Sequence, residues 1–456
     1  MGDKGRRAAD GGLKVVHARC AGIDVGKSEH WVAVDGSMDA RPVRSFGGFT
    51  EHLESLASWL SSLGVDVVSL EATGVYWIPL FEVLDRAGFD VRLVDARATM
   101  QVTGRKSDVL DCEWIRQLTS AGLLRAAFRP SDRVCELRSY VRQRSRLAAD
   151  RARCVQHMQK ALAEMNVQLD SVLSDLMGAT GQRILRAIVG GERDGAALAK
   201  HRDRRVKADE ATVAASLRGN WRAEHLFALE QALERFDLLT AQIARADGRI
   251  VETVESLAGE SRRPDGGDGS ADGEPEAPPA KPARTAADRR LQGALRAMLG
   301  VDLTAIPGIG VGTALAIASE IGPDLSRFPN QAHFCSWLKL APGTRISGGR
   351  PLRGPPPKRT NRAGQALRMA AASVRGSDSY IGACHRSRLR RLDSARANKA
   401  TAHQLARLVY AMLTQGEEYV AREVDDFEAE RRDRQIRHLK RQARRFNLAL
   451  VDRDAA

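Results

Sequence analysis

Four carboxylates are spaced as a divalent-cation site would need them. Asp24 lies in the strand-like segment IDVG, Glu71 ends the apolar run VVSLE, and Asp108 and Asp111 stand three residues apart in KSDVLDCEWIRQL. That spacing puts the last two on one helix face. Magnesium takes hard oxygen ligands, and two ions about 4 Å apart can stabilise both the attacking and the leaving oxygen of a phosphodiester, a task for several converging carboxylates. Each acid alone has an ordinary explanation: Asp24 before Val25-Gly26 suits a turn or cap, and Asp108 suits an N-cap or first-turn acid. The combination points to phosphodiester chemistry, because a buried strand rarely ends in Glu unless a cation or a partner compensates the charge.

The elements that must position these acids form a mixed α/β domain over residues 18–130. AGIDVGKSEHWVAVDG alternates apolar and polar residues on both sides of a turn, which predicts a β-hairpin. FTEHLESLASWLSSLG and WIPLFEVLDRAG carry helical spacing, whereas VDVVSLEATG and FDVRLVDA are short apolar runs of buried-strand type. The segment after Lys106 predicts a helix whose apolar stripe, Val109, Leu110, Trp114, Ile115 and Leu118, packs on the sheet.

Flanking segments differ in composition. Residues 1–17 are polar, basic and Gly-rich, a disordered leader. Residues 131–260 form a helical region in which 131 to about 170 and 221 to about 257 are amphipathic, either as a projecting coiled-coil-like pair or as two core-packed helices. Residues 261–288, rich in Pro, Gly, Asp and Ala, cannot repay the entropy of ordering and predict a flexible linker. A small, mostly α domain follows over 289–380. A basic helical tail occupies 381–456, and its run HRSRLRRLDSARANKA suits a nucleic-acid contact or a solvated helix face.

The balance of charge narrows the partner. A formal net charge of +14 favours polyanions through accumulated Lys and Arg contacts and the counterions they release. Six scattered cysteines without a C-x-x-C pair suggest neither a zinc knuckle nor a disulfide framework and fit reduced thiols in the cytosol. The sequence has no apolar run near the roughly 18 residues of a membrane helix and no secretory-type apolar segment at its start. The expectation is a cytoplasmic, nucleoid-associated protein with no membrane partner.

Here a resemblance becomes specific. IDVGKSEHWVAV, LEATGVYWIPLFEVL and RKSDVLDCEWIRQL, in that order, resemble the RuvC-like domain of the DEDD transposases of bacterial insertion sequences. The stretch from IPGIGVGTALAIASEIG through RISGGRPLRGPPPKRTNRAGQALRMAAASVR resembles that family's C-terminal transposase domain. The resemblance covers residues 20–130 and 300–375. It implies an RNase H-like fold for the first block and a DEDD tetrad falling on Asp24, Glu71, Asp108 and Asp111, with Mg2+ or Mn2+. It also implies a nucleophilic serine, by motif position Ser347. Family membership would bring donor and target DNA as partners, a noncoding guide RNA that reads sequence by base pairing, and a dimer or tetramer to hold two DNA partners together.

The serine makes chemical sense. An alcohol attacking a phosphodiester conserves the bond as a phosphoserine link, which a second DNA end can later displace without ATP. Gly348 and Gly349 permit close backbone approach, although Ser-Gly-Gly is also an ordinary turn. Arg345, Arg350 and Arg353 flank the serine, and Lys358, Arg359 and Arg362 add charge able to hold phosphates. Lys106 could do the same near the acids. IPGIGVGT, with Gly308 and Gly310, suits a helix-hairpin-helix that offers backbone N–H groups to a phosphate, or a plain Gly-rich helix connection. Tyr76 and Trp77 suit either base stacking or the core, and His30 suits a satisfied strand position better than a general base.

Three rivals remain. IDVGKSEHWVAVDG also resembles the phosphate hairpin of actin-like ATPases and sugar kinases, but the sequence shows no second phosphate loop and no adenosine motif. A structure-specific nuclease of junction-resolvase type would keep the acids and lack the serine step. An architectural binder would need none of them.

Overall fold

The computed structural model describes residues 14–72, 74–94, 108–261, 285–341, 345–348, 350–352, 361–418, 432–433 and 436–448. The chain divides between Arg129 and Pro130 into two compact units.

The first unit is built on a five-stranded sheet. Strands β1 (Cys20–Val25) and β2 (Glu29–Ala33) pair antiparallel through a tight turn. In that turn a Cβ on Gly26 would lie 2.4 Å from the Glu29 carbonyl oxygen, so no larger residue fits. β3 (Val43–Gly47) adds antiparallel to β2, while β4 (Val67–Glu71) and β5 (Asp90–Val94) run parallel to β1. The order is β3-β2-β1-β4-β5, compatible with an RNase H-like domain. Strand alternation sorts side chains between two faces. Ala21, Ile23, Val25, Val68 and Leu70 face a core shared with Leu56 and Leu60 of α1 (Thr50–Ser62) and Leu80 and Leu84 of α2 (Trp77–Arg86). The other face is covered by α3 (Asp108–Ser120), which buries Ile115 and Leu118 with Val94 and Leu124.

Two details correct the sequence reading. Leu110 is 46% exposed, so the sheet-facing stripe of α3 is Cys112, Ile115, Leu118 and Thr119 rather than one that includes Leu110. The expected leader is shorter at its C-terminal end: the Val16 and His17 amides both donate to the Ser120 carbonyl, at 2.7 and 3.0 Å. Residues 1–13 lie outside the described residues.

The second unit contains two long helices, α4 (Asp132–Glu164) and α9 (Ala223–Ser261). Ion pairs from Arg133 to Glu260 and Arg144 to Asp247, with the contact of His225 Nδ1 to Glu164 at 3.2 Å, fix them antiparallel. Between them α5 (Leu169–Val172), α6 (Ala179–Val189), α7 (Gly195–Ala199) and α8 (Glu210–Ser216) close over one end. Met158, Leu162, Ile184, Leu185, Leu198, Val213, Leu229 and Leu233 form the core there. The pair is thus embedded in a helical core at that end. Residues 262–284, most of the expected linker, lie outside the described residues.

The rest of this unit comprises α10 (Ala286–Leu299), a 3₁₀ turn (Leu303–Ala305), α11 (Val311–Ile321) and α12 (Gln331–Trp337). A small hairpin, β6 (Arg345–Ser347) with β7 (Arg350–Leu352), precedes α13 (Arg362–Ser373), α14 (Tyr380–Leu389) and α15 (Ser394–Gln415). The segment expected as a basic tail supplies core as far as Gln415. Ala397, Ala402, Leu405, Leu408, Val409 and Met412 of α15 are buried at helical spacing, because the basic residues occupy only one side of an amphipathic helix.

Candidate active site

The register of β1 and β4 brings two of the four acids together. Ile23 pairs with Leu70, and Asp24 and Glu71 follow one residue later on both strands. Neighbouring parallel strands lie about 4.8 Å apart, and residues level with each other point to the same face. Asp24 and Glu71, both half-buried, therefore stand side by side at the carboxyl ends of adjacent strands, on the face that α3 covers.

Helix α3 approaches that face without a spacer. A Cβ on Gly22 would fall 2.2 Å from the Arg116 amide nitrogen and 2.5 Å from the Cys112 carbonyl oxygen. One pair further back, the Cys20 thiol lies 3.7 Å from the Arg116 carbonyl. The helix therefore runs against the direction of β1, one turn for each two strand residues, and Asp24 lies toward its first turn. Electrostatics agree. Burial, and then neighbouring charges that include Asp24, push the Cys112 thiol up to about 12.

Asp111 directly precedes Cys112, and Asp108 is the first residue of α3. At spacings of three, four and seven, Asp108, Asp111, Cys112 and Ile115 lie along one side of the helix. The stripe that seals α3 to the sheet thus reaches N-terminally to Asp111, where β1 and β4 also end in acids, and the helix begins at Asp108. The Asp108 side chain lies outside the described ones. Among the described residues no group of three or more His, Cys, Asp or Glu is gathered as a metal site. The donor types fit a hard divalent cation, since all four are carboxylates. The Cys112 thiol donates to the Val109 carbonyl of its own helix at 3.1 Å.

Ser347 is the last residue of β6. Its backbone pairs with Arg350, and Arg345 pairs with Leu352, so Ser347 sits at the tip of the hairpin, directly before Gly348. Gly348 is left-handed, with φ of 56°, a conformation that favours glycine. The side chains of Arg345, Ser347 and Arg350, and all of Lys106, Arg353, Lys358 and Arg359, lie outside the described residues. Arg362 opens α13 and is exposed.

The IPGIGVGT glycines divide in role. Gly308 has φ of 94°, and a Cβ there would meet Val374 at 2.4 Å, so it packs the turn. Gly310 N-caps α11 without a side-chain partner and, like Gly312, faces open space. The element before this turn is a single 3₁₀ turn.

His30 is buried, its Nδ1 without a partner among the described residues, and burial holds its pKa below the usual imidazole value. It pairs with Val25, on the face away from Asp24. Trp77 packs edge-on against Phe81 at the core, whereas Tyr76 is exposed. Sequence reasoning passed over how the cations of α14 and α15 group around Lys399, His403 and Arg407, because helices distant in sequence bring them together.

Two family models match the chain. One, described as Transposase and built on DEDD transposases of the IS110 type, matches residues 21–167; the other, described as Transposase IS116/IS110/IS902 family, matches residues 302–383. The chain belongs to the IS110 family of DEDD transposases. It is accordingly an enzyme of DNA transposition and recombination, and DNA is its partner. The first match of this transposase contains Asp24, Glu71, Asp108 and Asp111, and the second contains Ser347. No curated protein matches it. Among the described residues no helix is long and apolar enough to cross a membrane.

Proposed function

We propose that this transposase cuts and rejoins DNA of a bacterial insertion sequence through the acids Asp24, Glu71, Asp108 and Asp111 and the nucleophile Ser347. The observation that carries the reading is the side-by-side placement of Asp24 and Glu71 at the carboxyl ends of β1 and β4, with the acid-bearing first turn of α3 toward them. The four carboxylates would hold Mg2+ or Mn2+, which when bound polarises the scissile phosphate and lowers the cost of its developing charge.

Ser347 gives up its hydroxyl proton as its Oγ bonds to phosphorus. The bond to the leaving sugar oxygen breaks, and that oxygen takes up a proton to leave as a hydroxyl. The hydroxyl of a second DNA end then attacks the phosphoserine and restores the serine. Arg345, Arg350, Arg353, Lys358, Arg359 and Arg362 around the hairpin, and Lys106 near the acids, would hold flanking phosphates. The IPGIGVGT turn, as a helix-hairpin-helix, would offer the amides around Gly308 and Gly310 to the backbone.

In this reading residues 18–130 are the catalytic domain, 131–260 the helical region, 289–380 the serine-bearing domain and 381–456 a basic extension. A noncoding guide RNA selects the sites, two or four copies hold both DNA partners, and the protein works at the nucleoid. The deciding experiment is denaturing electrophoresis of labelled DNA after reaction with divalent cation. A covalent protein–DNA adduct should form with the wild type and vanish in Ser347→Ala. Cleavage that persists unchanged in Ser347→Ala would instead establish a nuclease without a serine step.

A further inference from the structure

Lys399, His403 and Arg407 recur at every fourth position of α15 and so lie along one side of it. Arg388 of α14 joins them, donating to Thr401 Oγ1 at 2.9 Å and Gln404 Oε1 at 2.7 Å, both neutral acceptors. Among the described residues none of these four side chains has a carboxylate partner; Lys399 donates to the Ala341 carbonyl and Arg407 to Gln331 Oε1. Burial, and then Arg407, Lys399 and Arg388, hold the His403 pKa below its usual value, so the charges around that ring are cationic. Some arginines of this unit are matched by carboxylates, as Arg144 is by Asp247 and Arg186 by Asp237. Arg388 and Lys399 are half-buried and Arg407 is exposed, and cations gathered without counter-charge repel one another unless a ligand supplies the anions.

The group also sits at the base of the serine hairpin. Ala341, held by Lys399, lies six residues before Ser347. On the return leg Asn361, the N-cap of α13, donates to the Trp337 carbonyl at 3.1 Å. Successive side chains of this row on α15 are separated by a rise of about 6 Å, which lets neighbouring phosphates of one strand engage the two cations and, by hydrogen bonding, the imidazole between them.

We propose that Lys399, His403 and Arg407, with Arg388, form a phosphate track that holds the backbone of the DNA strand presented to the Ser347 hairpin. The proposal rests on the serine reading for its role and on geometry for its ligand class. The test measures binding of full-length Ser347→Ala protein to random-sequence duplex DNA, single-stranded DNA and single-stranded RNA across a salt series. Lys399→Gln with Arg407→Gln should lower the slope of log affinity against log salt by about 2, one unit per lost phosphate contact. Arg235→Gln with Arg249→Gln on α9 should leave it unchanged.

Lys399 also anchors Ala341, so if that pair melts early, His403→Gln with Arg407→Gln decides, with a loss of about 1. An unchanged slope on both DNA probes, an equal loss in the α9 control, or a loss confined to RNA would overturn the track. Adduct formation by the otherwise wild-type chain is scored separately. Absence of an adduct would sink the serine reading and leave the binding result intact.

Discussion

Asp24 and Glu71 stand level with each other on two parallel strands, one residue past the registered pair Ile23 and Leu70. A divalent cation would take oxygen ligands from both carboxylates. Asp24→Asn and Glu71→Gln should each lower strand cleavage by on the order of 10³-fold. Their melting temperatures should stay near that of the wild type, because each amide keeps the shape of the carboxylate it replaces. A chelator should abolish cleavage by the wild type, and Mn2+ should restore it.

Gly22 is where α3 touches the sheet, with room for a hydrogen and nothing larger. Gly22→Ala should force α3 outward and cost about 3 kcal/mol in denaturant unfolding. Activity should fall further than stability predicts, since the acids of α3 move with it.

Glu320 is 6% exposed and receives Arg142 through both nitrogens of its fork, while Arg138 donates to the Ser319 and Glu320 carbonyls. These contacts lock α4 to the end of α11. Glu320→Ala should destabilise the protein by about 3 kcal/mol, since it strands two arginines. A double-mutant cycle with Arg142→Ala should show coupling above about 1 kcal/mol.

His30, His385 and His403 each have a pKa below 6.5, chiefly through burial. The unfolded chain then binds protons that the folded chain refuses, so stability is full above pH 6.5 and is lost as pH falls toward the folded values. The melting temperature should drop on going from about pH 7 to about pH 5. His385→Gln, which keeps a partner for Thr401, should reduce that drop.

Cys20, Cys112, Cys154 and Cys335 are buried, and burial pushes the Cys335 thiol up to about 11. Only Cys135 and Cys384 are half-exposed. Native alkylation at mildly alkaline pH, followed by mass mapping, should label those two first, since the thiolate is the reacting form.

Legibility in the sequence followed burial. The hairpin, α1, α2, β4 and β5 were visible because each has one side in a continuous core and repeats its apolar residues at the matching period. The edge strand β3 was missed. It is half-exposed along its length and its VRSFG carries no clean alternation. The short helices α5 to α8 were not separated within 131–260, since their apolar residues serve a shared core rather than a periodic face of their own. Leu110 was misplaced because hydrophobicity alone does not tell which side of α3 meets the sheet.

The amino-acid order by itself determined the family, the two motif blocks and the residue types able to hold a divalent cation or attack phosphorus, since these are properties of local composition and spacing. Only the tertiary structure decided that Asp24 and Glu71 are neighbours, that α3 presses its backbone on Gly22, and that Arg388, Lys399 and Arg407, without carboxylate partners among the described residues, meet beside the root of the serine hairpin. Strand register and helix packing are set by many weak contacts between distant segments, and no short stretch of sequence contains them.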